Sequence, residues 1–279
     1  MDPRFYESYF HHEDHHWWFR WRYELITGII RKLDLGPNPR ILDAGCGTGQ
    51  MLKRLEALGT AIGIDSSAEA VSFAASRGAR RLVRGTINAP PFPAGSFDCI
   101  VVLDVIEHVD DDTGILRSLR DAVRPGGSVI VTVPAFRSLW SEHDVINRHK
   151  RRYNAGELRA LLDRAGLEVD RLTYCNTALC APVYLMRTFR NLTRRGSRVQ
   201  VNGHELRSDL RQYPDLVNYA LLRVMRAETR LMRRVDFPFG VSILAVARRP
   251  AVTGSITAIG AADARISRND APMTGAARL

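Results

Sequence analysis

The sequence predicts an α/β protein built on a mostly parallel sheet of seven strands flanked by helices, and three observations carry that prediction. Seven short apolar runs lie between Arg40 and Arg248, most of them separated by stretches of helical period. A glycine-rich turn, Gly45 to Gly49, follows directly on the first run. The chain has 279 residues, 45% of them hydrophobic, which is enough for one large domain with its own core and room for an insertion.

Taken in order, the first segment is aromatic and rich in histidine and then becomes helical through Trp21–Leu33, the whole of 1–34 forming an N-terminal cap region. Gly36-Pro-Asn-Pro39 breaks the chain. Strands are predicted at Arg40–Asp43, Thr60–Asp65, Arg81–Arg84, Phe97–Leu103, Ser128–Val133 and Glu168–Tyr174, with helices at Gln50–Leu58, Ala68–Ser76, Asp112–Ala122 and Ala155–Ala165. This alternation makes 35–174 the core, since strand and helix in turn are the mark of βαβ units. Residues 175–236 are too many for a simple loop and read as a helical insertion. The last strand, Val241–Arg248, falls in 237–249. From 250 to 279 Ala, Thr, Gly and Ser dominate, so a disordered tail is expected.

Charge is distributed unevenly. From Arg171 to Arg234 there are thirteen arginines against four acids, so nine of the ten net positive charges lie in that stretch. A general nucleic-acid surface is therefore not expected, whereas a locally basic attachment is. The four cysteines stand at unrelated spacings, which indicates neither a zinc site nor a disulfide framework. Neither a signal peptide nor a run of about 18 apolar residues is visible, and a cytoplasmic protein is expected.

The most informative residues are Ile41-Leu-Asp-Ala-Gly-Cys-Gly-Thr-Gly49. Glycines allow a tight turn and close approach of a ligand to the backbone. Asp43, ahead of the glycines, would repel a pyrophosphate but can accept hydrogen bonds from the ammonium of an amino-acid ligand. Asp65 closes the next strand, about twenty residues on, where an acid can accept both hydroxyls of a ribose. Together these residues resemble the class I S-adenosylmethionine-dependent methyltransferases, over about Arg40 to Ala165. The resemblance implies a Rossmann-like sheet with its final strand antiparallel and S-adenosylmethionine as cofactor. It also implies a methionine half held by Asp43, Gly45, Cys46, Gly47 and Gly49, and a ribose held by Asp65 and its neighbour Ser66.

Gly85-Thr-Ile-Asn-Ala-Pro-Pro-Phe-Pro and the later Phe97-Asp98 look like the adenine-side loop of that family. Thr86 replaces the usual acid there, leaving the backbone of Ile87 to pair with the ring edge. Leu103 and Asp104 end the fourth strand at the edge where open α/β sheets bind ligands, followed by Glu107 and His108. Three readings of this segment stand open. Leu103 and Asp104 line the cofactor while Glu107 and His108 shape the next turn; or His108 acts as a general base; or Asp104, Glu107 and His108 hold a divalent ion with His143 or His149. Relatives that methylate quinone precursors or RNA ends use a similar Glu-x-x-Glu-His segment as ligands. The expectation here is no metal.

The segment Pro134–Tyr153, with His143-Asp144, Arg148-His149 and Arg151-Arg152-Tyr153, resembles one bacterial subgroup, and its cations suit an acidic substrate or a salt-bridged loop. His108, His143 and Tyr153 are the candidate catalytic residues. His11-His-Glu-Asp-His-His-Trp-Trp-Phe-Arg-Trp-Arg22 resembles the N-terminal element of the same subgroup. Adjacent histidines diverge on a helix, so a cap is preferred to a metal site, with Trp18 excluding water and Arg22 reaching the methionine carboxylate. In 177–235, apolar residues bordered by arginines suit a substrate-shaping cap, favoured over peripheral contact with the inner membrane face. The function expected is methyl transfer to a small-molecule or lipid-like acceptor at oxygen. Carbon or nitrogen acceptors and a non-catalytic scaffold are the alternatives.

Overall fold

The computed structural model describes residues 3–193 and 213–251. The element order is α1 (Pro3–His12), α2 (Trp17–Ile30), β1 (Arg40–Ala44), α3 (Gln50–Leu55), β2 (Thr60–Asp65), α4 (Ala68–Ser76), β3 (Leu82–Arg84) and β4 (Phe97–Leu103). There follow α5 (Asp112–Ala122), β5 (Val123–Pro134), α6 (Glu142–Ile146), α7 (Ala155–Arg164), β6 (Glu168–Cys175), α8 (Cys180–Thr193), α9 (Asp215–Met232) and β7 (Ser242–Arg248). The sheet has seven strands in the order β3-β2-β1-β4-β5-β7-β6, with β7 antiparallel to both its neighbours. This is the Rossmann-like fold expected from the sequence.

The strands are buried on both faces, and alternate residues feed two cores. Leu42, Ile100 and Val102 face α5 and α7, in the layer containing Ile115, Leu116, Leu158 and Leu162. Ile41, Cys99 and Val101 face the opposite layer, where Ile26, Leu52 and Met225 close the core. Chain direction around the sheet reverses between β1 and β4, because β2 and β4 flank β1 on opposite sides. The crevice opens at such a reversal, outside the carboxyl ends of the strands.

Several boundaries differ from the sequence reading for local reasons. Helix α2 begins four residues early because the His16 side chain accepts from the Trp18 N–H at 3.2 Å and caps it. Strand β5 begins at Val123, which pairs with Phe97 ahead of a register shift, so Pro125 and the glycines after it lie inside the strand. Helix α1 is not among the helices that the sequence reading places. Arg77 holds its end, donating to the Phe10 carbonyl at 2.6 Å and lying over the Phe10 ring at 4.2 Å.

The insertion is helical where it is described. Helix α9 packs on α2, where the Trp21 indole donates to Thr229 Oγ1 at 2.8 Å while Leu222, Met225 and Met232 are buried. Arg194 and Arg195, and the tail from residue 252 onward, lie outside the described residues.

Candidate functional site

At the carboxyl ends of β1, β2 and β4 lies a cavity of about 630 Å³, within the usual range for a small-molecule site. Its first half is built by the glycine turn. Gly45 and Gly47 have φ of +81° and +52°, a region that glycine enters at little cost. A Cβ on Gly45 would stand 2.6 Å from Val105 Cγ2, whereas at Gly47 it would project into open space. The Gly47 N–H donates to Asp65 Oδ2 at 3.0 Å and the Ser67 N–H to Asp65 Oδ1 at 2.9 Å, so turn and second strand fix each other.

Asp43 is buried, and its Oδ2 has no hydrogen-bond partner among the described residues. Burial, opposed by Arg22 and reinforced by Asp65 and Glu13, pushes its carboxyl up to about 7. A buried acceptor left without a donor is costly, so this group suits a ligand that brings a positive charge or an N–H. An amino-acid ammonium fits that requirement.

The N-terminal segment closes over this half. Glu13 accepts from Thr48 Oγ1 of the glycine turn and, at 2.8 Å, from Arg77 Nη2. Asp14 accepts from Gln50 Nε2 and, at 3.2 Å, from Arg77 Nη1. Trp18 lines the cavity beneath the Arg22 guanidinium, 4.9 Å from the ring centroid. Arg22 donates to Asp104 Oδ2 at 2.5 Å, so a ligand carboxylate would share that guanidinium rather than own it.

The second half follows β4. Asp104 has φ +54°, held by its N–H on the Thr132 carbonyl at 3.0 Å, and this kink turns the chain into a short 3-10 turn, Ile106–His108. Glu107 is fully buried and neither carboxylate oxygen has a hydrogen-bond partner among the described residues. Burial, reinforced by Asp104, pushes its carboxyl well above the usual range. Burial and the facing His149 imidazole push His108 down to about 4. The two rings meet edge to face with centroids 4.7 Å apart.

His149 is the better-supported imidazole. Its Nδ1 bonds Asp144 Oδ1 at 2.9 Å, which leaves Nε2 towards Glu107, 4.0 Å from Oε1. Asp144 also accepts from Arg152 Nε at 2.7 Å and from the Ser141 N–H at 2.8 Å. Burial alone would raise the Asp144 carboxyl, yet the hydrogen bonds from His149 and Arg152 hold it well below the usual carboxylate range. An aspartate bonded to one ring nitrogen fixes the tautomer and leaves the other nitrogen as an acceptor. The ligand atoms of Glu107, His108 and His149 lie within 4.8 Å of one another, close enough to share a cation.

Asp43, Gly45, Cys46, Gly47, Asp65, Ser66, Ile87, Leu103, Asp104, Trp18 and Arg22 all line this one cavity, as do His108 and His143. Two expected site residues stand elsewhere, and both are corrections. Gly49 caps α3 with φ +84° and packs against α4, where a Cβ would stand 2.8 Å from the Ala74 Cα; it is a packing glycine. The buried Tyr153 turns its hydroxyl away from the cavity and donates to Asp112 Oδ2 at 2.9 Å, bracing α5. At the adenine-side loop Thr86 Oγ1 accepts from the Asn88 N–H at 3.2 Å, a local turn bond in place of an acid.

Sequence reasoning missed Glu13 and Thr48, which close the cap on the turn, and Asn176, whose buried Oδ1 has no hydrogen-bond partner among the described residues. It also missed Arg187, which lines the far wall and donates to the Leu139 carbonyl at 2.5 Å. The acids beside the N-terminal histidines were a usable signal for the first pair. Nothing in the local sequence marks Asn176.

A methyltransferase-domain family model matches residues 15–172. A Mycolicibacterium smegmatis protein named as a probable S-adenosylmethionine-dependent methyltransferase is 31% identical over 161 residues, 56% of this chain and 62% of its own length. The ubiquinone biosynthesis O-methyltransferase of Xanthomonas axonopodis is 28% identical over 183 residues, 58% of this chain and 73% of its own. The matching part of the chain thus spans under two thirds of the first of these relatives. The fold is shared with phosphoethanolamine N-methyltransferase 2 of Haemonchus contortus, solved with S-adenosylmethionine, at a TM-score of 0.53 and 15% identity, covering 81% of this chain and 52% of that one. With more than half of its residues matched by the family model and the cradle of Asp43, Gly45 and Asp65 in place, the chain belongs to the class I S-adenosylmethionine-dependent methyltransferases and has S-adenosylmethionine as its cofactor.

Proposed function

We propose that the chain transfers a methyl group from S-adenosylmethionine to a hydroxyl oxygen of an acceptor with an apolar body, a small molecule or a lipid-like one. The observation that carries this reading is the Asp144–His149 pair: the imidazole lines the cavity with Nδ1 bonded to Asp144, which leaves Nε2, 4.0 Å from Glu107 Oε1, as the acceptor. Asp43 receives the cofactor ammonium, the Gly45–Gly47 backbone receives the methionine half, and Asp65 accepts the ribose hydroxyls. When bound, the cofactor supplies an activated sulfonium methyl, so alignment does most of the catalysis. His149 would take the hydroxyl proton at Nε2 as the sulfur–methyl bond breaks and the carbon–oxygen bond forms, with S-adenosylhomocysteine as the leaving group, and Asp144 would stabilise the resulting imidazolium. His108 lies beside the methyl group as a neutral wall, because a ring titrating near 4 is a weak base at pH 7. Leu179, Val183 and Met186 make the acceptor wall apolar. Likeness to the ubiquinone biosynthesis O-methyltransferase supports oxygen, and likeness to maize phosphoethanolamine N-methyltransferase 1 keeps nitrogen as the alternative.

A second reading rests on Glu107, whose buried carboxylate has no hydrogen-bond partner among the described residues and stands with His108 and His149 as a ligand set for a divalent cation. The same His149 nitrogen would then bind the ion, with Asp144 behind it. One experiment addresses both. The purified chain is incubated with methyl-labelled cofactor and a panel of apolar alcohols, phenols and amines, with and without a chelator. Labelled ether formation insensitive to chelator supports the base reading, and activity lost to chelator and restored by a divalent ion supports the metal. Cofactor binding without product across the panel favours the scaffold alternative.

A further inference from the structure

We infer that the exposed face of α9, together with the exposed end of α8, docks on an anionic lipid surface. The starting observation is where the apolar surface lies. Of the eleven large hydrophobic side chains that stand exposed among the described residues, ten fall between Tyr184 and Phe239. Single exposed hydrophobic residues are ordinary, but a concentration of them marks an interaction surface.

On α9 they form a stripe. Leu216, Val224 and Leu231 are separated by about two turns each, so they share one side of the helix, and they are 78%, 44% and 50% exposed. The opposite side, Leu222, Met225 and Met232, is buried against the sheet layer, so the exposed stripe is surplus to the fold. Beside the stripe run Arg223, Arg226 and Arg230, with Arg233 and Arg234 at the helix end. Acids hardly offset them. Asp215 stands at the helix start, and Glu228 is buried, accepting from the Ala178 N–H at 2.8 Å. Arg226 is paired with Glu24 at 2.5 Å, which leaves Arg223, Arg230, Arg233 and Arg234 without an acid partner among the described residues. A second cavity lies on this face, lined by Tyr219, Arg223, Val224, Arg226, Ala227 and Arg230.

An apolar stripe bordered by arginines matches the layering of a lipid interface, with acyl chains under the stripe and phosphate groups beside the guanidinium groups. No described helix is long and apolar enough to cross a membrane, so the contact is peripheral. The main cavity is lined in part from the same two segments. Met186 of α8 is 42% exposed and lines the main cavity, and Tyr213, just ahead of α9, lines it too. Docking by this face therefore brings the acceptor end of the cavity to the bilayer, a route for an acceptor that resides in lipid. The docking itself does not rest on the acceptor assigned above.

The test is flotation of the full chain with vesicles of phosphatidylcholine alone or mixed with phosphatidylglycerol. The expected result is binding to the anionic vesicles only, released as salt shortens the screening length. Replacing Arg223, Arg230 and Arg234 by Gln should weaken that binding on the order of a hundredfold, and Leu216→Ser with Leu231→Ser at least about tenfold. Melting temperature and cofactor affinity, read on each variant, report the fold and the methyl-donor site, so failure here is distinct from failure of the methyl-transfer reading. Absence of vesicle binding overturns the inference, as does equal binding to neutral and anionic vesicles or binding that neither variant weakens. A dimer of the wild type that these substitutions dissolve, without vesicle binding, assigns the face to a second copy and overturns it as well.

Discussion

The two halves of the cavity are built by different means. The half around the glycine turn comes from one stretch, Asp43 to Ser67, and much of it is backbone: Gly45 and Gly47 with positive φ, and the Gly47 and Ser67 amides that clamp Asp65. The acceptor half gathers side chains from three separated segments, Asp104–His108, His143–Arg152 and Asn176–Arg187, and of its buried carboxylates Asp144 is held by Arg152 and His149. A site made of backbone in one βαβ unit tolerates little change and serves one ligand. A site made of side chains on loops can be rebuilt for different acceptors while the scaffold stays the same.

The comparison breaks first at Asp43 if it breaks at all. Asp43→Ala should weaken S-adenosylmethionine binding on the order of a hundredfold, because it removes a charged acceptor from the ammonium. Gly45→Val should do at least as much, since its Cβ would strike Val105 and its φ of +81° is strained for valine. Isothermal titration reads both, and wild-type affinity in either variant would remove the turn from the cofactor site.

Of comparable size is the effect expected at His149. His149→Ala should lower kcat by ~10²–10⁴ while leaving cofactor affinity within about twofold, the loss typical of a missing general base. His108→Ala should cost less, and the pH profile of kcat should show no step near 4 that vanishes in that variant, because His108 is not the proton acceptor. A larger loss at His108 than at His149 would reverse the assignment.

A smaller and more diagnostic effect is expected from pH. With the Asp43 carboxyl near 7 in the free protein, the cofactor meets a protonated group below that pH, and its affinity should fall by up to about tenfold per unit as pH drops from 7 to 5. The stability of the free protein runs the opposite way. A carboxyl raised in the folded state contributes stability that is fully present below its unfolded value of about 3.9 and lost as pH rises through about 7. Asp43→Asn should therefore raise the melting temperature of the free protein at pH 8 by a few degrees, while abolishing the pH dependence of cofactor binding. A variant that melts lower than wild type at pH 8 would contradict the buried-charge reading.

The smallest effect belongs to Tyr153. Tyr153→Phe should leave kcat within about threefold and lower stability by about 1 kcal/mol, the value of one hydrogen bond to Asp112, which keeps its ion pair with Arg151 at 2.7 Å. A loss of kcat above about a hundredfold at unchanged stability would return Tyr153 to the catalytic set.

What could be read from the sequence follows from range. Residues 41–49 and 60–65 carry their conformation locally, because glycine at a turn and an acid at a strand tip have the same meaning in any sequence of this kind. Strands β1, β2 and β4 were legible for a related reason: apolar runs buried on both faces leave little choice of element. Helix α1 was not, because its hold on the turn depends on Arg77, more than sixty positions away, and on Thr48. Gly49 and Tyr153 show the opposite failure. Each sits inside a motif that points at the ligand, yet packing on Ala74 and a hydrogen bond to Asp112 turn them outward.

The sequence by itself determined the fold class, the glycine turn between two acids at strand tips and the concentration of arginine in one insertion, since each is written in neighbouring residues or in composition. Only the tertiary structure decided that His149 rather than His108 has an aspartate behind it, that Glu107 is buried with no hydrogen-bond partner among the described residues, and that α9 turns its apolar stripe outward. The reason is physical. Burial and the direction of a hydrogen bond are set by what packs from elsewhere in the chain. A carboxylate or an imidazole takes its chemistry from those neighbours more than from its own place in the sequence.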